Sequence, residues 1–524
     1  MISKLLSGNR RLRTPFPFLS SLASNKRFQT TRTTIPEEDL PETVTIIPTV
    51  SELTNAEDFL PDKDVSLVGH LQARYLVESI TNDLLFKWTE PSSEKKFKLY
   101  CGADPTAESL HLGNLLPLMV LLHFNLRGHD VVGLVGGATG AVGDPSGRTT
   151  ERTHLAEEKR VDNVNKIQNQ LSNFLKQGVE YAKSRKFPIE EQGQVFTENN
   201  ASWWKSIKIL DFLSTYGKHI RVSAMLGRDS IQSRLKSENG LGFNEFSYQI
   251  LQAYDFWHLF KNHKVNLQIG GNDQWGNITA GVDLISRLQK NFNRTAKSNE
   301  KVEEEPSFGM TVPLLTTPTG EKFGKSAGNA IFISEKLTTP YQLYQYFINT
   351  PDELVAKLLK VFTILPMSTI EKIILKHNED PGVRAAQRIL AREVTDLIHG
   401  NGTGDEMAYV TSFLFPTPDQ PFIDDISADK LIRVFDKSGI LVRFKFDDFN
   451  IDDLKLSTLL AKVMKKSKTE TKNLISAGGI YLGLDRNQHI DPEDVVLFDR
   501  DHLIDGKLLL VRAGKQNYYV VEFS

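Results

Sequence analysis

The chain has 524 residues, 40% of them hydrophobic and 24% charged, enough for about three globular domains and too much for a single small module. Lys and Arg number 63 against 65 Asp and Glu, so bulk positive charge cannot hold a nucleic acid and any RNA contact has to be a local patch. The single cysteine, Cys101, excludes an internal disulfide, and the longest apolar run, Leu115 to Leu122, falls short of the roughly 18 residues a membrane span needs. A soluble protein of a reducing compartment is expected, with no membrane insertion.

Residues 1–34 have a composition of their own. They carry seven basic residues (Lys4, Arg10, Arg11, Arg13, Lys26, Arg27 and Arg32), many Ser and Thr, and no acid before Glu37. That is the composition of a transit peptide, which points to the mitochondrial matrix; plastid import and a disordered basic tail that touches RNA are the alternatives. Without those seven the balance is 56 basic to 65 acidic residues, so the remaining chain is acidic. Residues 35–95 are read as an N-terminal helical extension.

From residue 96 to 335, strand-like runs (Phe97 to Tyr100, Val131 to Val135, Val265 to Ile269, Met310 to Leu315) alternate with helical patterns such as Leu115 to Leu126, which stops at Gly128. This alternation predicts an α/β domain with a parallel sheet. Pro340 opens a stretch rich in Ala, Leu and charge, and 336–415 is expected to be an α-helical domain. Pro416, Pro418, Pro421 and many Asp residues mark 416–452 as a linker. The last unit, 453–524, begins with a helix expected over Leu456 to Ile475. That helix carries Lys462, Lys465, Lys466, Lys468 and Lys472 against the single acid Glu470. Strands are expected at Leu508 to Val511 and Tyr518 to Glu522.

Four segments carry chemistry. In the first, a strand ending near Asp104 turns at Pro105 and Thr106, and His111, Gly113 and Asn114 open a helix. Free N–H groups and the positive dipole end make a helix start an anion site, although a lone His there also serves as a plain cap. The second runs from Gly136 to Arg148 with five glycines in thirteen residues, a density that suits close backbone approach. Asp144 within it suits a ligand ammonium, and Arg148 and Arg152 follow for anions. In the third, Tyr248, Gln252 and Asp255 stand at i, i+4 and i+7, on one helical face; spacing alone fits a solvated face as well. The fourth, Gly320 to Ser326, is one residue short of a phosphate loop. The glycine and β-branched residues after Ser326 oppose the helix such a loop requires, so Lys322 and Lys325 suit a mobile clamp on a departing pyrophosphate better.

Together these segments resemble a class I aminoacyl-tRNA synthetase: His111 to Asn114 is similar to the HIGH signature and Lys322 to Ser326 to the KMSKS signature. Within that class the resemblance is to bacterial-type tyrosyl-tRNA synthetases. It covers most of the chain after about residue 70, nearly without gaps at Leu99 to Gly113, Leu134 to Gly147, Phe246 to Phe256 and Leu267 to Ala280. Asn114 departs from the signature's second His; it can donate an N–H but carries no charge. The resemblance implies a Rossmann-like catalytic domain, an α-helical anticodon-binding domain and an S4-like α+β RNA-binding domain.

Carried over position by position, the resemblance implies that Tyr100 and Asp255 meet the phenol of a tyrosine substrate. Asp144, Tyr248 and Gln252 would meet its ammonium, with Gln274 alongside. It assigns ATP to Asp104, His111, Gly113, Asn114, the backbone near Leu315, Asp273 beside the ribose, and Lys322, Lys325 and Ser326. Cys101 falls near the ribose, and a buried strand cysteine would read the same way. Arg148, Arg152, Lys465 and Lys466 would face tRNA. The partners implied are L-tyrosine, ATP, tRNA(Tyr) and a second copy of the chain; Mg²⁺ would accompany ATP, and no Cys or His cluster suggests a structural metal. Two rivals are a tryptophanyl-tRNA synthetase, opposed by the Tyr100 and Asp255 pair, and an RNA-binding role in group I intron splicing, alone or added to catalysis.

Overall fold

The computed structural model describes Leu53, Asp58 and residues 65–144, 146, 156–236, 240–296, 303–314, 316, 325–326, 329–415, 427–445, 447, 454–482, 488–489, 503–514 and 517–524. The expected leader, 1–34, lies outside these. Six strands, β1 (Ser79–Ile80), β2 (Lys98–Ala103), β3 (Asp130–Val135), β4 (Val195–Asn199), β5 (Leu267–Gly271) and β6 (Phe308–Val312), form one sheet in the order β1-β6-β5-β2-β3-β4. Strands β2 to β6 run parallel, and β1 joins β6 antiparallel. The sheet therefore begins before residue 96, because Ser79 and Ile80 of the expected helical extension supply its edge.

The layering follows from residue type. Helices cover both faces of the sheet, so β3 and β6 are apolar and buried almost throughout. Helix α1 (Leu112–Asn125) joins β2 to β3 and is apolar nearly all round, with Leu115, Met119, Leu122 and Phe124 inaccessible, as a fully enclosed helix must be. Helix α2 (Glu157–Ser184) joins β3 to β4, α3 (Phe243–His263) enters β5, and α4 (Trp275–Thr295) joins β5 to β6. The chain builds outward from β2 to β4 and then crosses to β5 on the other side. A crevice thus opens at the carboxyl ends of β2 and β5, where the direction of winding switches. Beyond β6, β7 (Lys325–Ser326) and β8 (Asn329–Ala330) make a small antiparallel pair.

Five helices follow: α5 (Pro340–Ile348), α6 (Asp352–Phe362), α7 (Met367–Glu379), α8 (Ala385–His399) and α9 (Thr403–Leu414). Pro340 occupies the first turn of α5, and Thr339 and Gln342 close a reciprocal capping box there. Two arginines, Arg74 buried and Arg185 partly so, tie this bundle to the α/β domain. Arg74 Nη1 donates to the carbonyls of Lys360 at 2.9 Å and Thr363 at 2.7 Å, and Nη2 to that of Leu365, which satisfies the end of α6. Arg185, after α2, reaches Glu393 at 2.9 Å and Asp396 at 2.6 Å on α8, and Tyr181 Oη donates to Glu393 at 2.6 Å.

Two expectations for the C-terminal third change. The expected linker, 416–452, contains helix α10 (Ala428–Ser438) and strand β9 (Leu441–Phe444). Strand β9 pairs parallel with β13 (Asn517–Phe523) in a sheet ordered β11-β10-β12-β13-β9, with β10 at Ile480–Leu482, β11 at Gln488–His489 and β12 at Leu508–Ala513. The last sheet thus draws a strand from before residue 453. Pro and Asp content hid the buried Ala428, Leu431 and Phe435, which give α10 its apolar face. The single helix expected over Leu456 to Ile475 is two, α11 (Leu456–Met464) and α12 (Lys468–Ser476). Lys465 takes a left-handed φ of 53° between them, and Ser467 with Glu470 caps the new start.

Replacing Arg185 with Ala leaves the buried Glu393 and Asp396 carboxylates without their cation, and is expected to destabilise the fold by about 3 kcal/mol. Replacing Lys183, whose pairing with Glu180 is exposed, should cost about 0.5 kcal/mol or less. Urea unfolding of both variants beside the parent checks the contrast.

Candidate active site

The strand ends bring the sequence motifs to one crevice. Strand β2 delivers Asp104, β3 opens into the glycine-rich loop, β4 is followed at once by Asn200, and β5 leads into Asp273 and Gln274 before α4. His111 caps α1: its Nδ1 accepts from Gly113 N at 3.0 Å, and Asn114 Oδ1 accepts from His111 N at 3.0 Å. The plain cap role is therefore present. It also has a chemical consequence, because a neutral imidazole that accepts at Nδ1 carries its proton on Nε2. Asn114 likewise uses its oxygen in the cap, which leaves an amide N–H as its donor. At Gly113 a methyl would lie 2.9 Å from His111 Cε1, so only glycine leaves the ring in place.

The other end of the motif meets the glycine-rich loop and α3. Tyr248 Oη donates to Asp104 Oδ2 at 3.0 Å, and Thr139 Oγ1 lies 3.5 Å from Asp104 Oδ1. A side chain at Gly136 would come within 2.2 Å of Asp104 Oδ1. Buried Asp144 accepts from Ser146 N at 2.9 Å and from Gln274 Nε2 at 2.7 Å, so the loop is pinned to the start of α4. Asp273 is exposed beside Gln274. The face formed by Tyr248, Gln252 and Asp255 turns inward: Tyr248 and Asp255 are buried, and Gln252 Oε1 is enclosed without a hydrogen-bond partner.

Asp255 accepts three side-chain hydrogen bonds in the crevice. Trp203 Nε1 and Trp204 Nε1 donate to its Oδ1 at 2.8 and 2.7 Å, and Asn200 Nδ2 donates to Oδ2 at 2.9 Å. Burial pushes its carboxyl up to about 7, while these three donors pull the other way. Tyr100 lies in the same core cluster, 1% exposed, and its hydroxyl has no hydrogen-bond partner. Burial, and then the charge of Asp255, push that phenol well above its ordinary range. Cys101 points to the opposite face of β2, in the main core, where burial pushes its thiol up to about 12.

Asn200, Trp203, Trp204 and Thr139 were not singled out from the sequence. A signal existed: an Asn pair and two of the chain's five Trp residues follow directly on strand β4. Lys325 and Ser326 lie on the β7–β8 hairpin, which excludes the helix a phosphate loop needs. The chain then runs beside the start of α1, where Leu112 N donates to Ile331 O at 3.0 Å and His111 bridges Phe332. Leu315, Lys322, Arg148 and Arg152 lie outside the described residues. Lys465 and Lys466 belong to the C-terminal unit and not to this crevice. Among the described residues no cluster of His, Cys, Asp and Glu could hold a metal ion, and no helix is long and apolar enough to cross a membrane.

A methyl at position 136 would meet both Asp104 Oδ1 and Thr139 Oγ1, so Gly136→Ala is expected to break the bond between Tyr248 and Asp104 and to destabilise the fold by about 1 kcal/mol or more. Urea unfolding and a crystal structure of the variant check both; Asp104 in its parent position at unchanged stability would show that the loop yields instead.

The family model for tRNA synthetases class I (W and Y) matches residues 92–415. The mitochondrial tyrosine–tRNA ligase of Saccharomyces cerevisiae is 46% identical over 480 residues, which cover 91% of this chain and 92% of that one. That of Schizosaccharomyces pombe is 40% identical over 467 residues, covering 87% and 98%. Among solved structures, a C-terminally truncated mitochondrial tyrosyl-tRNA synthetase from Aspergillus nidulans superposes with a TM-score of 0.61 at 36% identity, over 69% of this chain and 97% of that one. With a family model matched across the crevice-forming domain and relatives similar over about nine-tenths of both chains, this chain belongs to the tyrosyl-tRNA synthetases of class I.

Proposed function

We propose that the chain activates L-tyrosine with ATP to tyrosyl-adenylate and pyrophosphate, then transfers the tyrosyl group to tRNA(Tyr) in the mitochondrial matrix. One observation carries the substrate choice. A carboxylate has about four lone-pair sites, and Asp255 has three of them filled by Asn200, Trp203 and Trp204. One site remains on Oδ2, in the same cluster as the unpartnered Tyr100 hydroxyl. A phenol fits this pair, donating to Asp255 and accepting from Tyr100. A phenylalanine ring would leave both unpaired, which is costly in a buried site.

The remaining groups suit the other end of the substrate and ATP. Asp144, oriented by Gln274, suits the ammonium, with Tyr248 and Gln252 along the same wall. The tyrosine carboxylate is already ionised, so its attack on the α-phosphorus of ATP needs no general base. A carbon-bound oxygen joins phosphorus as the bond to pyrophosphate breaks. The growing charge calls for positioned donors: His111 Nε2–H and the Asn114 amide at the start of α1, then Lys322, Lys325 and Ser326 on the loop and hairpin. Mg²⁺ would arrive on the ATP phosphates and not in a cage of protein ligands. The terminal ribose hydroxyl of tRNA then attacks the adenylate carbonyl and AMP leaves.

Two surfaces support the partners. Ile209, Leu210, Leu213 and Val222, between β4 and α3, and Phe243 at the start of α3 are exposed, Phe243 at 81%, an apolar set suited to a second copy of the chain. The lysines of α11 and α12, with Lys465 and Lys466 at the turn, suit the phosphates of tRNA, as do Arg148 and Arg152. The basic leader suits import.

Tyr100→Phe is expected to reduce the preference for tyrosine over phenylalanine roughly tenfold, the worth of one hydrogen bond, and Asp255→Ala to reduce it further and to depress tyrosine activation. Both ratios are read from steady-state exchange with each amino acid; an unchanged ratio in both variants would remove these residues from the phenol. Ending the chain after Phe415 should leave exchange largely intact and depress tRNA charging. Equal loss of the two activities would make the C-terminal unit structural instead.

A further inference from the structure

The three donors to Asp255 are not equivalent. Asn200 has other tasks: its Oδ1 accepts from Ala138 N at 2.8 Å and its Nδ2 also reaches Thr139 Oγ1 at 2.8 Å, so it holds the glycine-rich loop as well. Trp203 is buried and stacked on His258 with ring centroids 4.3 Å apart. Trp204 is only partly buried, against Phe212 and Tyr254 at 5.2 and 5.0 Å, and its N–H has a single partner, Asp255 Oδ1 at 2.7 Å. Two indoles on one oxygen fill both of its lone pairs and direct any further donor to Oδ2.

We propose that Trp204 is a positioning residue for substrate choice, its indole N–H keeping Asp255 a carboxylate and reserving Oδ2 for the phenol of the substrate. This rests on the assignment of Asp255 to the phenol made above. The physical case is a balance. Burial alone would protonate Asp255, and Asp104 pushes the same way across the crevice, whereas the three N–H donors oppose them and leave the carboxyl at about 7. Removing one donor tips the balance. A protonated Asp255 would present an O–H to the substrate oxygen in competition with Tyr100 and would no longer require a phenol.

Other titratable groups face this wall. Burial raises the Tyr100 and Tyr254 hydroxyls well beyond neutral pH. His258, on the same helix as Asp255 and stacked on Trp203, is held near 4 by burial. Asp104 is bonded to Tyr248, and His263, farther along the helix, lies 5.8 Å from the His258 ring and faces Glu198. Asp255→Asn removes the Asp255 proton and keeps these groups, so it separates their contribution to a pH profile from that of Asp255.

The test measures KM and kcat for tyrosine, and the Tyr to Phe ratio, in ATP–pyrophosphate exchange by the full-length enzyme from about pH 5.5 to 8.5. The proteins are the parent, Trp204→Phe and Asp255→Asn. In the parent, KM for tyrosine should rise as pH falls below about 7, where Asp255 takes up its proton. In Trp204→Phe this limb should move up by about one pH unit, with the Tyr to Phe ratio lowered at neutral pH and restored at the alkaline end. Replacing Trp204 by benzothienylalanine, which keeps the ring shape and lacks the N–H, gives the same readout should the Phe variant fold poorly. A limb at the parent's position in both replacements overturns the role of Trp204 and leaves the phenol assignment standing. An Asp255→Asn enzyme with the parent's KM and pH profile overturns both.

Discussion

Parallel pairing of β2 with β3 on one side and β5 on the other is the constraint from which the crevice follows. In a parallel sheet all carboxyl ends lie on one edge, so Asp104, the glycine-rich loop, Asn200 and Gln274 arrive together although they are far apart in the chain. Reversal of the winding direction at β2 and β5 keeps the helices from closing over that edge. The glycines then allow close approach. Any side chain at Gly136 would displace Asp104, and any at Gly113 would displace His111. The same backbone positions that build the turns thus hold these two side chains in place.

Charge is handled differently in the crevice and in the framework. Arg185, partly buried, meets two buried carboxylates, and Arg74 is buried on backbone carbonyls, so both cations are satisfied and both fasten the helical bundle to the α/β domain. Among the described residues no cation pairs with Asp255. Burial raises its carboxyl to about 7, three N–H donors oppose that rise, and one lone pair of Oδ2 stays open. The Tyr100 hydroxyl, enclosed in the same apolar cluster, is likewise unpaired among the described residues.

Much of this was legible in the sequence because the signals are local. The cap formed by His111 and Asn114, the density of glycines after β3, the one-faced spacing of Tyr248, Gln252 and Asp255, and the order of strands and helices all follow from short-range geometry. Where composition stood in for geometry the reading failed. The segment 416–452 looked like a linker because Pro and Asp dominate it, yet α10 and β9 fold within it once a strand is available for pairing. The helix expected over Leu456 to Ile475 broke because Lys465 adopts a left-handed turn that periodicity cannot register.

The sequence by itself determined which side chains the crevice has to work with, the helix start that holds His111, and the alternation that makes the sheet parallel. Only the tertiary structure decided how those side chains are used. Asp255 lies 51 to 55 residues from Trp204, Trp203 and Asn200, and no periodicity links them; they meet because the segment after β4 packs against the middle of α3. Burial of that meeting point, which is a property of the packed fold and not of any segment, is what encloses one carboxylate and one tyrosine hydroxyl together.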